Sequence, residues 1–304
     1  MIDLNKLISN SENILVRLES RGEKIPLDNI KELDTKRKNL IQEADQLRSF
    51  RNSENKRIGE SKEKPSLEHI NNMRNISEKL NKINVNLSKI EEKLNELLLV
   101  IPNVPLDEVL IGNDETDNKV IFTKDDVKNK KVTMPHWEIA PKLGILDMEQ
   151  GVKLAGSRWY VLKGKGSILQ RSLVSWMLEK HNQNGYLEIA PPFLVKEEVM
   201  VGSGNLPKFS DLLYRDIEED LWLIPTSEVA LNSLHFGEII PDEFPLKYVS
   251  HSQCFRREKA AAGRETRGIK RVHQFEKVEL FRFELPENSR NAFDQMVNEV
   301  QLLC

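Results

Sequence analysis

The 304-residue chain carries 45 Lys and Arg against 48 Asp and Glu, a formal net charge of −3, and is 31% charged and 39% hydrophobic. That mixture is too polar for one compact globule and too apolar for wholesale disorder, so it describes a globular part joined to a long solvated one. The charge balance argues against a globally basic nucleic-acid coat, no run of about 18 uncharged apolar residues offers a membrane span, and Cys254 and Cys304 alone cannot build a disulfide framework or a zinc cluster.

The opening residues Met1-Ile2-Asp3-Leu4-Asn5-Lys6 lack the basic-then-apolar order of a secretion signal, so the expected location is cytoplasmic. Of 11 Phe, 4 Trp and 4 Tyr, only Phe50 precedes residue 100, and a core of normal thickness is hard to build without such side chains. From Met73 the apolar positions run Ile76, Leu80, Ile83, Leu87, Ile90, Leu94 and Leu97, which is a heptad seam. An earlier run, Ile30, Leu33, Leu40, Ala44 and Leu47, keeps the same spacing, interrupted by Arg37 and Arg51. Gly59 and Pro65 lie between the runs, where one helix ends and the next starts near Pro65 or Ser66. The pattern predicts an antiparallel two-helix hairpin of roughly 33 residues per helix, an arm on the order of 50 Å long. A dimerising or spacer coil fits these residues as well as any more specific task.

The arm ends at Ile101-Pro102-Asn103-Val104-Pro105, whose two prolines cannot continue a helix. Residues 106–304 then alternate short apolar segments with turn glycines, which is α+β grammar. Helices are predicted over Asp147–Ala155 and Ser167–Asn182, and strands over Arg158–Leu162, Tyr186–Ala190, Leu221–Ile224, Tyr248–Arg256 and Lys270–Phe283. No Gly-x-Gly-x-x-Gly or Gly-x₄-Gly-Lys-Ser loop occurs, so a nucleotide bound here would use neither a Rossmann nor a P-loop cradle.

Charge concentrates between His251 and Glu284, with nine Arg or Lys and five Glu. Taken as strand, loop (about Lys259 to Gly268) and strand, this is a long hairpin whose small tip, Ala260-Ala261-Ala262-Gly263, carries Arg264 and Arg267. Strand alternation sets Phe275, Lys277 and Glu279 on one face, Phe275 and Glu279 being about 13 Å apart. Arg256 shares its face with Cys254 and, if pairing continues, Glu258. A flat ring, a guanidinium and a carboxylate on one surface suit an adenine, a phosphate and an ammonium in sequence, because the guanidinium fork binds phosphate bidentately. A salt-bridged surface hairpin with Phe275 packed inward fits the same spacing. Thr226-Ser227-Glu228, after the strand residues Leu221-Trp222-Leu223, is either a small polar-substrate site or a helix cap with Glu in the first turn. Gly202 to Phe209 has the composition of a flexible loop, a possible lid.

In combination these segments resemble the seryl-tRNA synthetases, a family of class II aminoacyl-tRNA synthetases. The likeness covers the helical arm, Gly185-Tyr186-Leu187-Glu188 through Pro191-Pro192 (like motif 1), Pro225-Thr226-Ser227-Glu228 (like the TxE loop), and Phe255-Arg256-Arg257-Glu258 with His273-Gln274-Phe275 (like motif 2). The resemblance implies an N-terminal tRNA-binding hairpin over 1–105 and an antiparallel-sheet catalytic domain over 106–304. It implies that ATP, with Mg²⁺, activates L-serine to seryl-adenylate, which is then passed to tRNA(Ser). Arg256 and Glu258 then resemble the catalytic pair. Arg256, Arg257, Glu258, Val272 and Phe275 resemble ATP-binding residues, and Thr226, Ser227, Glu228 and Glu279 serine-binding ones. Arg264 and Arg267 look like contacts for the tRNA acceptor end, with Lys36, Arg37, Arg48, Arg51 and Lys79 as candidates on the arm. Pro191 and Pro192 would lie at a homodimer interface.

The family pattern also implies a Gly-rich, Arg-bearing motif 3, a Mg²⁺-binding Glu and a further serine-hydroxyl contact, none of which precedes Cys304. The expectation is therefore a C-terminally truncated catalytic domain holding no metal ligand of its own, with weak or no aminoacylation by this chain alone. A non-catalytic, synthetase-derived RNA-binding or scaffold protein stays open beside the ligase.

Overall fold

Leucine and isoleucine at heptad spacing produce the two longest helices of the computed structural model, α3 (Leu27–Ser61) and α4 (Leu67–Leu99). The structure describes residues 2–22, 24–61, 66–123, 134–240, 243–259 and 267–304. It divides into two units, Met1–Lys124 and Asp125–Cys304.

In the first unit α3 and α4 run antiparallel. Ala44 packs with Leu80 and Ile83, while Ile30, earlier on α3, packs with Leu94 and Leu98, later on α4. Ser66 caps α4 by accepting the His69 N–H at 3.1 Å, satisfying one of the unpaired donors of the first turn. The seam is interrupted at Asp34, which is buried and paired to Arg37 (2.8 Å) and Lys38 (2.7 Å). Burial pushes its carboxyl up, but the bonds from Lys38 and Arg37 outweigh this and hold it below the usual range. Two further helices, α1 (Leu4–Ser9) and α2 (Ser11–Glu19), are too short to declare a heptad. They bring Leu7 and Leu18 against Ile30, Leu98 and Ile101, closing the open end of the hairpin with an apolar plug. Arg17 and Arg21 donate to the carbonyls of Pro105 and Asn103, so the proline linker is fastened to α2.

Among the described residues the second unit contains three small sheets. The main one is an antiparallel ribbon of β6 (Leu246–Phe255) and β7 (Gln274–Phe283), with β3 (Leu187–Glu188) added parallel to β6. Strands β4 (Leu194–Val195) and β5 (Trp222–Leu223) pair antiparallel, as do β1 (Leu146–Asp147) and β2 (Val161–Leu162). The predicted helices are present as α6 (Met148–Ala155), capped by Asp147, and α7 (Lys165–Gln183). Between α5 (His136–Lys142) and α10 (Ser289–Leu303), the chain also forms α8 (Glu197–Gly202) and α9 (Glu228–Asn232). A core of Val195, Met200, Leu206, Leu213, Trp222, Ile224 and Val229 ties β4 and β5 to α8 and α9.

Two features of this unit position the site. The Phe255 N–H donates to the Ile224 carbonyl (3.0 Å), which locks the end of β6 beside the segment leading to Thr226. The strand predicted from Lys270 begins only at Gln274, because the residues before it bond elsewhere. Ile269 donates to His136 Nε2 (2.9 Å) and His273 to the Arg158 carbonyl (3.2 Å). Gly268, at φ +79°, is what lets the chain reach His136: a Cβ there would fall 2.1 Å from Nε2.

Candidate active site

The ribbon register sets Cys254 opposite Phe275, Ser252 opposite Lys277 and Ser250 opposite Glu279, so these six side chains share one face. Beyond Phe255 the chain leaves the sheet, and Arg256 folds back over Phe275 with its guanidinium carbon 5.0 Å from the ring centre. Its Nε donates to the Pro225 carbonyl (3.3 Å), and its own carbonyl accepts from the His273 ring (2.9 Å). Strand pairing does not continue to Glu258, contrary to the condition set from alternation. Glu258 instead has φ +48°, and Arg158 donates to its carbonyl at 2.7 Å. That turn brings its carboxylate to Arg271, 3.1 Å away.

A cavity of about 620 Å³ opens over this arrangement, lined by Arg256, Glu258, Arg271, Val272 and Phe275 with Ile269 and Lys270. A second, of about 330 Å³, shares Arg256, Glu258 and Arg271 and extends to Pro225, Thr226, Asn205 and Phe209. One chamber thus has an aromatic floor with two guanidinium groups, and the next ends at a buried hydroxyl. Thr226 donates to Glu279 (2.5 Å) and accepts from Lys277 (2.9 Å), while Lys277 and Glu279 form an ion pair. Cys254 lies fully buried under this group. Burial pushes its thiol up, so it is protonated near neutral pH and is no nucleophile.

The structure therefore brings Thr226, Arg256, Glu258, Val272 and Phe275 around two adjoining cavities, with Glu279 hydrogen-bonded to Thr226. Other residues singled out in the sequence are directed elsewhere. Ser227 is fully buried and bonded to Ser252 (2.9 Å), behind the wall. Glu228 is exposed in the first turn of α9, its backbone N–H 3.4 Å from the Thr226 hydroxyl, which retains part of the capping reading. Arg257 donates to the Leu213 carbonyl and stacks on Tyr214, 4.7 Å from the ring centre, so it builds the wall and lines neither cavity. Arg267 is exposed over Trp137 at 5.4 Å, and Arg264 lies outside the described residues.

Arg271, Lys277 and Arg158 are the residues that sequence reasoning missed. Alternation sets Lys277 on the correct face but gives it no task. Arg271 and Arg158 act across long separations that no periodicity records. On the opposite face of the ribbon, Glu276 accepts from Gln253 (2.6 Å) and from Gln170 of α7 (3.0 Å) and bonds His251 (2.5 Å), fastening the ribbon to that helix.

The chain is similar to known proteins in both sequence and fold. Residues 1–105 match the model described as "Seryl-tRNA synthetase N-terminal domain", and residues 208–303 match "tRNA synthetase class II core domain (G, H, P, S and T)". The chain is 42% identical over 304 residues to a serine–tRNA ligase of Dehalococcoides mccartyi, covering 99% of this chain and 72% of that protein. It is 44% identical over 305 residues to a serine–tRNA ligase of Thermomicrobium roseum, covering 99% and 68% respectively. Its structure is similar to that of the seryl-tRNA synthetase from Pyrococcus horikoshii complexed with ATP, with a TM-score of 0.87 and 30% identity over 100% of this chain and 74% of the other. The cytoplasmic serine–tRNA ligase from Naegleria fowleri in complex with AMP gives a TM-score of 0.81 and 29% identity over 99% and 71%.

Proposed function

The chain belongs to the seryl-tRNA synthetase family, and from that premise we propose that the hollow on the β6–β7 ribbon joins L-serine to ATP as seryl-adenylate, for transfer to tRNA(Ser). The observation that carries this reading is the order of groups along one face: the Phe275 ring, the Arg256 guanidinium, then the Thr226–Lys277–Glu279 cluster. Adenine stacks on Phe275, with Glu258 and the backbone near Val272 at its edge. The α-phosphate meets Arg256, and Arg271 supplies a second cation for the phosphate chain. The serine ammonium pairs with Glu279 and Thr226. The serine carboxylate then attacks the α-phosphorus in line and pyrophosphate leaves, opposite the attacking oxygen. The side chains form no covalent bond to substrate; they hold two reactants end to end and neutralise charge that builds on the transferring phosphoryl group.

ATP enters with Mg²⁺. Among the described residues no group of three or more His, Cys, Asp or Glu could hold a metal, so those residues do not form a metal cage and no step is assigned to the ion. The arm over 1–105 contacts the tRNA body, the domain over 106–304 holds the chemistry, and Arg267 meets the acceptor end. A homodimer and a cytoplasmic location belong to the same proposal. The dimer is supported by exposed apolar side chains along α7 (Ile168, Leu169, Leu173 and Trp176) and beside β3 and β4 (Leu187, Phe193 and Leu194). Among the described residues no helix is long and apolar enough to cross a membrane.

The test is calorimetric titration with a non-hydrolysable seryl-adenylate analogue. Tight binding that is lost when either the adenosine or the serine half is removed supports the proposal. Equal affinity for the analogue and for AMP would remove serine from it.

A further inference from the structure

The serine-ammonium subsite is already filled by a cation of the chain itself. Lys277 reaches the Thr226 hydroxyl at 2.9 Å and the Glu279 carboxylate at 2.5 Å, and Thr226 in turn donates to Glu279. The three groups close a ring of hydrogen bonds around one ammonium. An ammonium offers three N–H donors and no acceptor, so any amine arriving here needs the same two oxygens that Lys277 now uses. The cavities agree. Thr226 lines the smaller one, whereas neither Lys277 nor Glu279 lines either, as expected if the place beyond Thr226 is occupied.

Among the described residues, the carboxylate paired with Lys277 is Glu279. The groups facing Lys277 are Ser252 opposite it in the ribbon, Cys254 and Arg256 towards the ribbon's end, Thr226 and Glu279, and only the last carries negative charge. Two ammonium groups on one carboxylate repel, and the Lys277 side chain, 33% exposed, has a route out to solvent. By contrast the Glu279 side chain, 17% exposed, and Thr226 are held in the wall.

Resting on the serine reading above, we propose that Lys277 is a tethered placeholder: it neutralises Glu279 while the site is empty, and the serine ammonium displaces it. The lysine then sets the threshold that an amine must exceed to enter. A ligand with no amine in this position leaves Lys277 seated. An intramolecular ion pair that only stabilised β7 would have no such exchange with substrate.

The experiment is calorimetric titration of the unaltered chain, Lys277→Met and Lys277→Arg with L-serine and separately with AMP. Removing the competing cation should tighten serine binding by roughly fivefold in Lys277→Met, the equivalent of a partly exposed ion pair. Lys277→Arg, which keeps a cation on the same tether, should stay within about twofold of the unaltered chain. AMP binding, which does not involve this subsite, should be the same in all three and reports that the variants are folded. Serine binding by the unaltered chain with unchanged or weaker binding in Lys277→Met would overturn the placeholder and leave the serine site standing. Failure of the unaltered chain to bind serine while it binds AMP would overturn both. Loss of AMP binding in Lys277→Met, meaning the lysine is needed for the fold, would also overturn the placeholder.

Discussion

The helical arm and the β6–β7 ribbon are held together by different kinds of contact. In the arm, the ion pairs lie within one helical turn, Lys36 with Glu32 and Arg48 with Asp45, and the two helices meet along a seam that repeats Leu or Ile at fixed intervals. In the ribbon, Thr226 meets Glu279 across 53 residues, Arg158 meets Glu258 across 100 and Gln170 meets Glu276 across 106. The arm can therefore lose one side chain and remain an arm. The ribbon's chemistry depends on individual groups brought from four or five segments, and single changes there should be severe for binding and mild for stability.

The largest effect is expected from Arg256→Ala. It removes the guanidinium from Phe275 and from both cavities, so affinity for the adenylate analogue should fall by roughly a hundredfold or more in calorimetry. Glu279→Gln comes next. It deletes the one anion facing the amine, and serine affinity should drop by roughly thirtyfold, while AMP affinity changes less than about twofold. A matching loss for both ligands would erase the distinction between the two subsites. Ile30→Ala reverses the pattern: a fully buried seam residue is truncated, costing about 2–4 kcal/mol in denaturant unfolding of the arm, with adenylate-analogue binding unchanged. If that variant weakened binding, the two units would be coupled and the contrast would fail.

The smallest effect is a pH dependence. His181, on α7, is buried, and burial holds its ring below the usual range; its Nδ1 has no hydrogen-bond partner among the described residues. The folded chain therefore resists protonation there, and the unfolded chain takes up the proton first. Stability from this group is present above the unfolded value of about 6.5 and is lost as pH falls below it, by at most about 1.4 kcal/mol per pH unit. Unfolding curves between pH 7 and 5 should show that slope, and His181→Gln should flatten it.

The same contrast governs what the sequence discloses. Leu80, Ile83 and Leu94 announce themselves because a helix repeats its environment every few residues, and the predicted hairpin over α3 and α4 follows directly. The plug made by Leu7 and Leu18 stays hidden, since helices of six and nine residues carry too few turns to repeat. In the ribbon, period-two alternation is enough to gather Phe275, Lys277 and Glu279 on one face. It fails at Glu258, whose left-handed backbone breaks the alternation, and it cannot see that Arg257 turns to Tyr214 or that Ser227 turns to Ser252. Arg271 and Arg158 enter the site through tertiary contacts alone, which residue spacing does not encode.

The most direct measurement is a crystal structure of the chain with a seryl-sulfamoyl adenosine bound. The base should lie on Phe275 beside Glu258, the sulfamoyl group against Arg256, and the ammonium on Glu279 and Thr226. An analogue bound with its base away from Phe275, or with its amine remote from Glu279, would contradict the assignment of this ribbon as the place where serine and ATP meet.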